Sequence, residues 1–497
     1  MFAKDRICAV VAAPTAPQMR RDLSSALLRT RTAELRLDYL SSDAEVAKFL
    51  KWLAAARPRA TLIATCRRRA AGGLYRGTPA AQLLHLAEAL RSGCEWFDLD
   101  IETARIAPAE LIGVLLGEGK MLASAHFFRA MPKNLAGGAA ELRRLRPNAI
   151  KLAVQCDSLR DSLRVLRLAK GRRDVVAIPM GEVALPARIL ALREGSALSY
   201  APLATVTAPG QASLGALLDI YRAGRITRKT GVYGVIGNPI AHSLSPQMQN
   251  AAFQARRMDS VYLPFLVREL RDFLGAIQPL GIAGFSVTIP HKQAILPHLD
   301  GCDPLAGVIG AVNTVVVRGG GKLYGYNTDY VGVLTALSRR IPLRGSRVLI
   351  LGAGGAARAV AFALGESGAS VSITARRIAR AKALARAVEG EAIERRQIRG
   401  QFFDAIVNAT PVGMHPHENA SPLEPSELNC RLVFDTIYRP QRTKLLRLAE
   451  TRGIETVSGV EMFIAQGAAQ WEIWTGERAP LAAMRRAVLR ALAESVR

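Results

Sequence analysis

The sequence predicts an α/β protein in two parts: a closed (β/α)8 TIM barrel, followed by a two-subdomain unit whose second half is a Rossmann fold. Three observations lead there. Short, near-continuous apolar runs recur through residues 1–215 with helix-like segments between them, the pattern of parallel strands buried on both faces. A polar, basic stretch, AGRITRKTG (223–231), then interrupts the series and reads as a linker. Beyond it, RVLILGAGGAARAVAFAL (347–364) reads as strand, glycine turn and helix, the opening of a dinucleotide-binding unit.

The first-half strands are expected at ICAVVAA (7–13), AELRLD (33–38), ATLIATC (60–66), EWFDLD (95–100), KMLASAH (120–126), NAIKLAV (148–154), DVVAIPM (174–180) and ALSYAPL (197–203). Segments such as PAAQLLHLAEALRSG and SLRDSLRVLRLAKG supply helices between them. A barrel is the natural closure at this length, with an open doubly wound sheet as the alternative. In the second half, strands are expected at VYGVIG (232–237), SVYLPFLV (260–267), GIAGFSVTIP (281–290) and GAVNTVVVR (310–318). The Rossmann series continues with ASVSITAR (369–376), DAIVNAT (404–410) and RLVFDTIY (431–438). The expected domains are a barrel over 1–222, a linker over 223–231, a substrate-binding subdomain over 232–340 and a Rossmann subdomain over 341–458. Helices over 459–497 are expected to pack back on the substrate subdomain.

Composition narrows the function classes. A chain of 497 residues, 49% hydrophobic and 22% charged, has ample core for several domains. Its six cysteines include no CxxC pair and its seven histidines show no HxxxH spacing; this argues for a reducing, cytoplasmic setting and against a metal site. No apolar run is long enough to span a bilayer. The net charge of +26 raises nucleic-acid binding, but the basic residues are spread through helices such as RIARAKALARA and MRRAVLRAL. That distribution reads as a solvated basic surface that also attracts anionic small molecules.

In a barrel, chemistry gathers at the C-terminal strand ends. Glu34 and Arg36 close the second strand, Arg67 follows the third, Asp98 lies in the fourth, His126 ends the fifth and Lys151 lies in the sixth. A strand lysine is often a structural ion pair. Desolvation and neighbouring cations also favour the neutral amine that attacks a ketone, and a histidine one strand away tips Lys151 toward Schiff-base chemistry. ELRLD (34–38), TCRR…GG (65–73), SAHFF (124–128), KLAV (151–154) and TAPGQ (207–211) together resemble type I 3-dehydroquinate dehydratase. The resemblance implies that Lys151 forms an imine with the C3 ketone of 3-dehydroquinate and that His126 moves the C2 proton and helps the C1 hydroxyl leave. It implies substrate contacts from Glu34, Arg36, Arg67, Arg188, Thr207 and Gln211, with Asp98 orienting His126. Two positions depart from the family: Ala71 stands where an acidic residue usually precedes the GG pair, and Thr207 where a serine is common.

In the second half, SLSP (243–246), TIPHK (288–292), GAVNT (310–314) and GYNTDY (325–330) place polar clusters at strand ends. Lys292 and Asp329 read either as a proton-passing pair or as a surface salt bridge. The strand after the glycine turn ends Thr374-Ala375-Arg376-Arg377. It has two cations where an acidic residue would mark NAD, so it reads as an NADP 2′-phosphate site or a basic turn. With NATPVGM (408–414) and SGVEMFIAQ (458–466), the set resembles shikimate dehydrogenase. The resemblance implies a catalytic Lys292–Asp329 pair and substrate contacts from Ser243, Ser245, Thr288, Asn313, Tyr438 and Gln466. It implies NADP contacts around Gly352, Ala353, Gly354, Gly355, Ala356, Arg376, Arg377, Asn408, Thr410, Gly459 and Met462. Ala375 replaces the family's usual asparagine.

The expected whole is a bifunctional shikimate-pathway enzyme, with 3-dehydroquinate, 3-dehydroshikimate and shikimate as ligands. No nucleic-acid or membrane partner is expected, and the chain is expected to be a monomer or weak homodimer. The alternatives are a quinate/shikimate dehydrogenase with a weakened dehydratase half, and a non-catalytic regulator on the same folds.

Overall fold

A computed structural model describes residues 5–203 and 210–494. The chain divides into two compact units, the first made of the residues up to Thr230 together with Arg271–Pro279, the second of Gly231–Leu270 and the residues from Leu280 on.

In the first unit, eight strands form one parallel sheet in the order β7-β6-β5-β4-β3-β2-β1-β8. They are β1 (Ile7–Val11), β2 (Thr32–Arg36), β3 (Thr61–Thr65), β4 (Trp96–Asp100), β5 (Lys120–Phe127), β6 (Ala149–Gln155), β7 (Val175–Met180) and β8 (Ser199–Pro202). Each lies within a residue or two of its predicted position. Between the ends of the sheet, the Ala197 amide donates to the Val175 carbonyl at 2.8 Å, and the Ala177 amide donates to Ser196 Oγ at 3.1 Å. These bonds bring β7 to β8 and close the barrel. The barrel floor is apolar, built from Cys8, Ile63, Trp96, Leu122, Ala149, Val176 and Leu198. Side chains alternate across a strand, so the residue two places on from each floor residue points inward one layer higher. From β3 to β8 that next layer contains Thr65, Asp98, Ser124, Lys151, Ile178 and Tyr200. The apolar floor thus sets the height and direction of the polar layer above it.

The segment predicted as a linker is more ordered than its composition indicates. Ala223–Arg225 form a 3-10 turn, Ala223 and Ile226 are buried, and Gly231 already belongs to the next strand. Two apolar residues in a basic sequence were enough to anchor it.

In the second unit, one six-stranded sheet has the order β10-β9-β11-β13-β14-β12. Its strands are β9 (Gly231–Gly237), β10 (Ser260–Leu266), β11 (Ile282–Val287), β12 (Gly301–Cys302), β13 (Thr314–Val317) and β14 (Leu323–Tyr326). The predicted strand over 310–318 is shorter than expected. Gly310, at φ 66°, ends the helix Pro304–Ile309, which leaves Asn313 in a turn ahead of β13. The second sheet is entirely parallel: β15 (Arg347–Leu351), β16 (Ser370–Thr374), β17 (Glu391–Ala392), β18 (Phe403–Asn408), β19 (Cys430–Asp435) and β20 (Glu455–Val457). Its order, β17-β16-β15-β18-β19-β20, reverses between β15 and β18, the switch point at which such sheets bind ligands.

The helix Gly459–Thr475 returns to the first of these sheets. Trp474 Nε1 donates to the Val315 carbonyl at 3.0 Å, and Trp471, fully buried, packs its ring against Phe253 with centroids 4.8 Å apart. Trp471→Ala is expected to cost the second unit about 3–5 kcal/mol, measured from urea unfolding followed by circular dichroism. A loss below about 1 kcal/mol would contradict this account of the packing.

Candidate active sites

The barrel's polar layer is a network of buried charges. Lys151 on β6 is 2% exposed. Its Nζ lies 3.1 Å from Glu34 Oε1 and also pairs with Asp98 Oδ2. Around these carboxylates, Thr65 Oγ1 donates to Glu34 Oε1 at 2.9 Å, Ser124 Oγ donates to Asp98 Oδ1 at 2.6 Å, and Arg67 donates to the same oxygen at 3.0 Å. The Lys151 ammonium sits over the Tyr200 ring, 4.7 Å from its centroid. Burial works to raise the Asp98 carboxyl, but Lys151, Arg67 and His126 outweigh it and hold it well below the usual carboxylate range.

His126 stands two residues beyond Ser124 on β5. Its ring stacks on Phe128 with centroids 5.6 Å apart, and its Nδ1 is buried with no hydrogen-bond partner among the described residues. The predicted orienting bond from Asp98 is not formed, because the oxygens of Asp98 go to Lys151, Arg67 and Ser124. Asp98 reaches His126 only through its charge, and burial together with the Arg67 and Lys151 cations holds the imidazole well below its ordinary value. Arg36 is engaged by Asp38 through two bonds, at 2.9 and 2.8 Å. Arg188 differs from the other arginines. It is 7% exposed; among the described residues it has no ion pair and donates only to the Tyr200 carbonyl, at 3.4 Å. Burial pushes its guanidinium down to about 10. Gln211 lies partly buried just past the undescribed segment 204–209, and Thr207 falls outside the described residues.

In the second unit, Lys292 lies on the short helix His291–Ala294 just past β11 and pairs with Asp329 Oδ2. Asn313 Nδ2 donates to Asp329 Oδ1 at 2.8 Å and to Thr328 Oγ1 at 3.0 Å. Asn313 Oδ1 accepts from the Thr328 amide at 2.8 Å. Gln466, 9% exposed, reaches the same asparagine at 3.5 Å. The side chains on Lys292 and Asp329 are only 15% and 6% exposed, so this pair is not a surface bridge. Nearby, the Tyr438 ring stacks on Phe463 at 4.2 Å.

The glycine turn adjoins this pair. Gly352 holds φ 114°, a conformation that L side chains rarely adopt. A Cβ on Gly355 would lie 3.0 Å from Lys292 Cβ, so the stem of the lysine packs directly on the start of the helix Gly355–Glu366. Gly354 caps that helix with no side-chain bond, and a Cβ there would meet open space. The helix start is thus uncapped by any side chain and has room beside Gly354, as a pyrophosphate site needs. Arg376 and Arg377 are exposed and have no carboxylate partner among the described residues. Asn408 stands at the end of β18 opposite Leu351, next to the glycine turn. It is fully buried, and its amide is committed to Asp435 at 3.0 Å and to Thr410, whose amide and hydroxyl it accepts at 3.0 and 2.7 Å. Asn408 shapes the turn that carries Thr410. Met462 and Gly459 are buried at the start of the helix Gly459–Thr475.

Comparison with known proteins gives the same division. Residues 7–228 match the model of type I 3-dehydroquinase. Residues 235–315 match the shikimate dehydrogenase substrate-binding domain, 335–411 shikimate/quinate 5-dehydrogenase, and 459–489 the shikimate 5′-dehydrogenase C-terminal domain. The bifunctional 3-dehydroquinate dehydratase/shikimate dehydrogenase of Arabidopsis thaliana is 36% identical over 499 residues, covering 95% of this chain and 82% of that protein. The chain belongs to the bifunctional 3-dehydroquinate dehydratase/shikimate dehydrogenase family. The NADP(+) shikimate dehydrogenase of a Bacillus cereus strain is 44% identical across 52% of this chain and 98% of its own. Two solved shikimate dehydrogenases superpose on about half of the chain. One, in complex with NADP+, has 38% identity and TM-score 0.51, covering 53% of this chain and 96% of its own. The other, from Aquifex aeolicus, has 37% identity and TM-score 0.50, covering 53% and 99%.

Within the dehydratase unit, sequence reasoning missed Thr65, Ser124 and Tyr200. The period-2 rule alone would have found Ser124, which shares a strand face with His126. Within the dehydrogenase unit it missed Thr328, which needs the folded turn to be seen.

Because its folded value is lowered, His126 is expected to stay neutral as pH falls through 6.5, its ordinary value. The unfolded chain takes up that proton first, so the contribution of His126 to stability is present above 6.5 and declines as pH falls below it. Histidine NMR of the whole chain checks this; half-protonation of His126 at or above 6.5 would contradict it.

Proposed function

We propose that the barrel dehydrates 3-dehydroquinate to 3-dehydroshikimate and that the second unit reduces this product to shikimate with NADPH. The observation that carries the reading is the pairing of a buried strand lysine, Lys151, with a buried arginine, Arg188, that has no ion pair among the described residues. An arginine in that state is suited to a ligand carboxylate, and a buried lysine whose flanking carboxylates can take its proton, beside a neutral histidine, is suited to imine chemistry.

In the barrel, Lys151 passes its ammonium proton to a flanking carboxylate, Glu34 or Asp98, and the freed amine adds to the C3 ketone; that proton returns as the C3 oxygen leaves as water, giving an iminium. His126, neutral near pH 7, takes the C2 proton, and the electron pair moves toward the iminium nitrogen. The C1 hydroxyl then leaves as water with the proton that His126 returns, and hydrolysis frees 3-dehydroshikimate and Lys151. Arg188 and Arg67 hold the carboxylate, while Glu34 and Asp98 balance the cationic nitrogen. Glu34, Arg36 and Gln211 contact the substrate hydroxyls, Arg36 after loosening from Asp38. Ala71 leaves the loop after β3 without the family's acid, and the core pair of Lys151 and His126 is retained.

In the second unit, the turn Gly352–Ala356 with Thr410 holds the NADP pyrophosphate, and Arg376 and Arg377 hold its 2′-phosphate. The cofactor, when bound, supplies the hydride. Lys292 gives its proton to the ketone oxygen, and Asp329, held by Asn313 and Thr328, keeps the ammonium in place. Ser243, Ser245, Thr288, Tyr438 and Gln466 orient the substrate ring. Among the described residues no helix is long and apolar enough to cross a membrane, and the six cysteines are free, in keeping with a cytoplasmic setting.

Borohydride added with 3-dehydroquinate is expected to leave a covalent adduct on Lys151, located by peptide mass spectrometry; an unmodified Lys151 under turnover conditions would sink the imine mechanism. Lys292→Ala is expected to lower kcat for 3-dehydroshikimate by about 10²–10⁴-fold while KM changes little. Equal turnover in that variant would remove Lys292 from the chemistry.

A further inference from the structure

We propose that Tyr200 is a further catalytic residue of the barrel: its aromatic face holds the cationic nitrogen of Lys151 through the change from ammonium to iminium. The proposal rests on the dehydratase reading above. Lys151 Nζ lies 4.7 Å from the centroid of the Tyr200 ring, within the roughly 6 Å over which a cation is drawn to an aromatic face. The two residues stand on β6 and β8 and are 2% and 6% exposed, so water does not screen the contact.

Three constraints fix the ring. Tyr200 pairs with Cys8 of β1 in the closed barrel. Its side chain belongs to the apolar cluster of the floor, with Trp96, Leu122 and Val176, so packed hydrocarbon supports it from below. Its carbonyl accepts from Arg188 at 3.4 Å, which ties the same residue to the arginine assigned to the ligand carboxylate. The phenol adds nothing to this anchoring. Its oxygen is buried with no hydrogen-bond partner among the described residues, and a buried hydroxyl without a partner is a cost. What Tyr200 brings to the site is its ring.

Counting N–H groups shows what the ring supplies. The ammonium has three donors, and its nitrogen pairs with Glu34 and Asp98. Two of its protons leave with the ketone oxygen as water, and the iminium keeps one. The carboxylates thus lose donors while the nitrogen keeps its positive charge, now spread over a planar C=N unit. An aromatic face needs no N–H to hold a cation, because it acts through the quadrupole of the ring. The share of the stabilisation carried by Tyr200 therefore grows at the step where hydrogen bonds are given up. When the C2 electron pair reaches the nitrogen, the charge and the attraction disappear; both return as the C1 hydroxyl leaves.

The test is borohydride trapping in the full chain over a range of 3-dehydroquinate concentrations, with the Lys151 adduct quantified by peptide mass spectrometry. Tyr200→Leu removes the face and is expected to raise the concentration that gives half-maximal adduct about tenfold. Tyr200→Phe keeps the face and is expected to restore that concentration to within about twofold of the unaltered chain. Phenylalanines with one, two and three ring fluorines at position 200 withdraw charge from the face with little change of shape. The half-maximal concentration should rise in step with fluorination, which packing alone does not produce, and this series covers a Tyr200→Leu chain that does not fold. A flat fluorine series would overturn the proposal, as would an unchanged Tyr200→Leu or a Tyr200→Phe as impaired as Tyr200→Leu. An unaltered chain that forms no adduct on Lys151 would overturn the imine reading instead.

Discussion

A charged lysine inside a barrel is the constraint on which the first unit depends. An uncompensated ammonium at 2% exposure is untenable, so Lys151 requires Asp98 and Glu34. Two buried carboxylates in turn require donors, and Thr65, Ser124 and Arg67 provide them. The network stands on the apolar floor because strand alternation lifts each polar side chain one layer above a packed hydrophobic one. The same charges that keep Asp98 ionised keep His126 neutral, so one electrostatic arrangement prepares both an electrophile-forming amine and a base.

The second unit meets a similar demand differently. Its lysine is shared between two neighbours: Asp329 takes the ammonium, and Gly355 leaves room for the aliphatic stem. Asp329 is positioned by Asn313, whose location follows from Gly310 ending a helix early and leaving a turn before β13. The reacting pair and the phosphate-binding turn are therefore adjacent by construction. Replacing Gly355 with any larger residue would disturb both.

Much of this was legible in the sequence because buried parallel strands and a glycine turn leave strong signals. Each barrel strand lies close to its apolar run, and Lys151, Glu34 and Asp98, read from separate motifs, meet in one network. The errors have physical causes. Asp98 was expected on His126, but a nearby buried ammonium is the stronger claim on a carboxylate, and spacing does not reveal that competition. The linker was judged by its charges, while Ala223 and Ile226 determined its structure. Tyr200 escaped notice because an aromatic residue inside an apolar run reads as core, and only the closed barrel sets its ring against Lys151.

The central claim is that both units work in sequence on one carbon skeleton. The most direct measurement is a single assay of the purified chain with 3-dehydroquinate and NADPH, followed by the loss of NADPH absorbance. The account predicts NADPH oxidation with shikimate as product, and its abolition by Lys151→Ala even though 3-dehydroshikimate supplied directly is still reduced. NADPH oxidation from 3-dehydroshikimate but none from 3-dehydroquinate in the unmodified chain would contradict it.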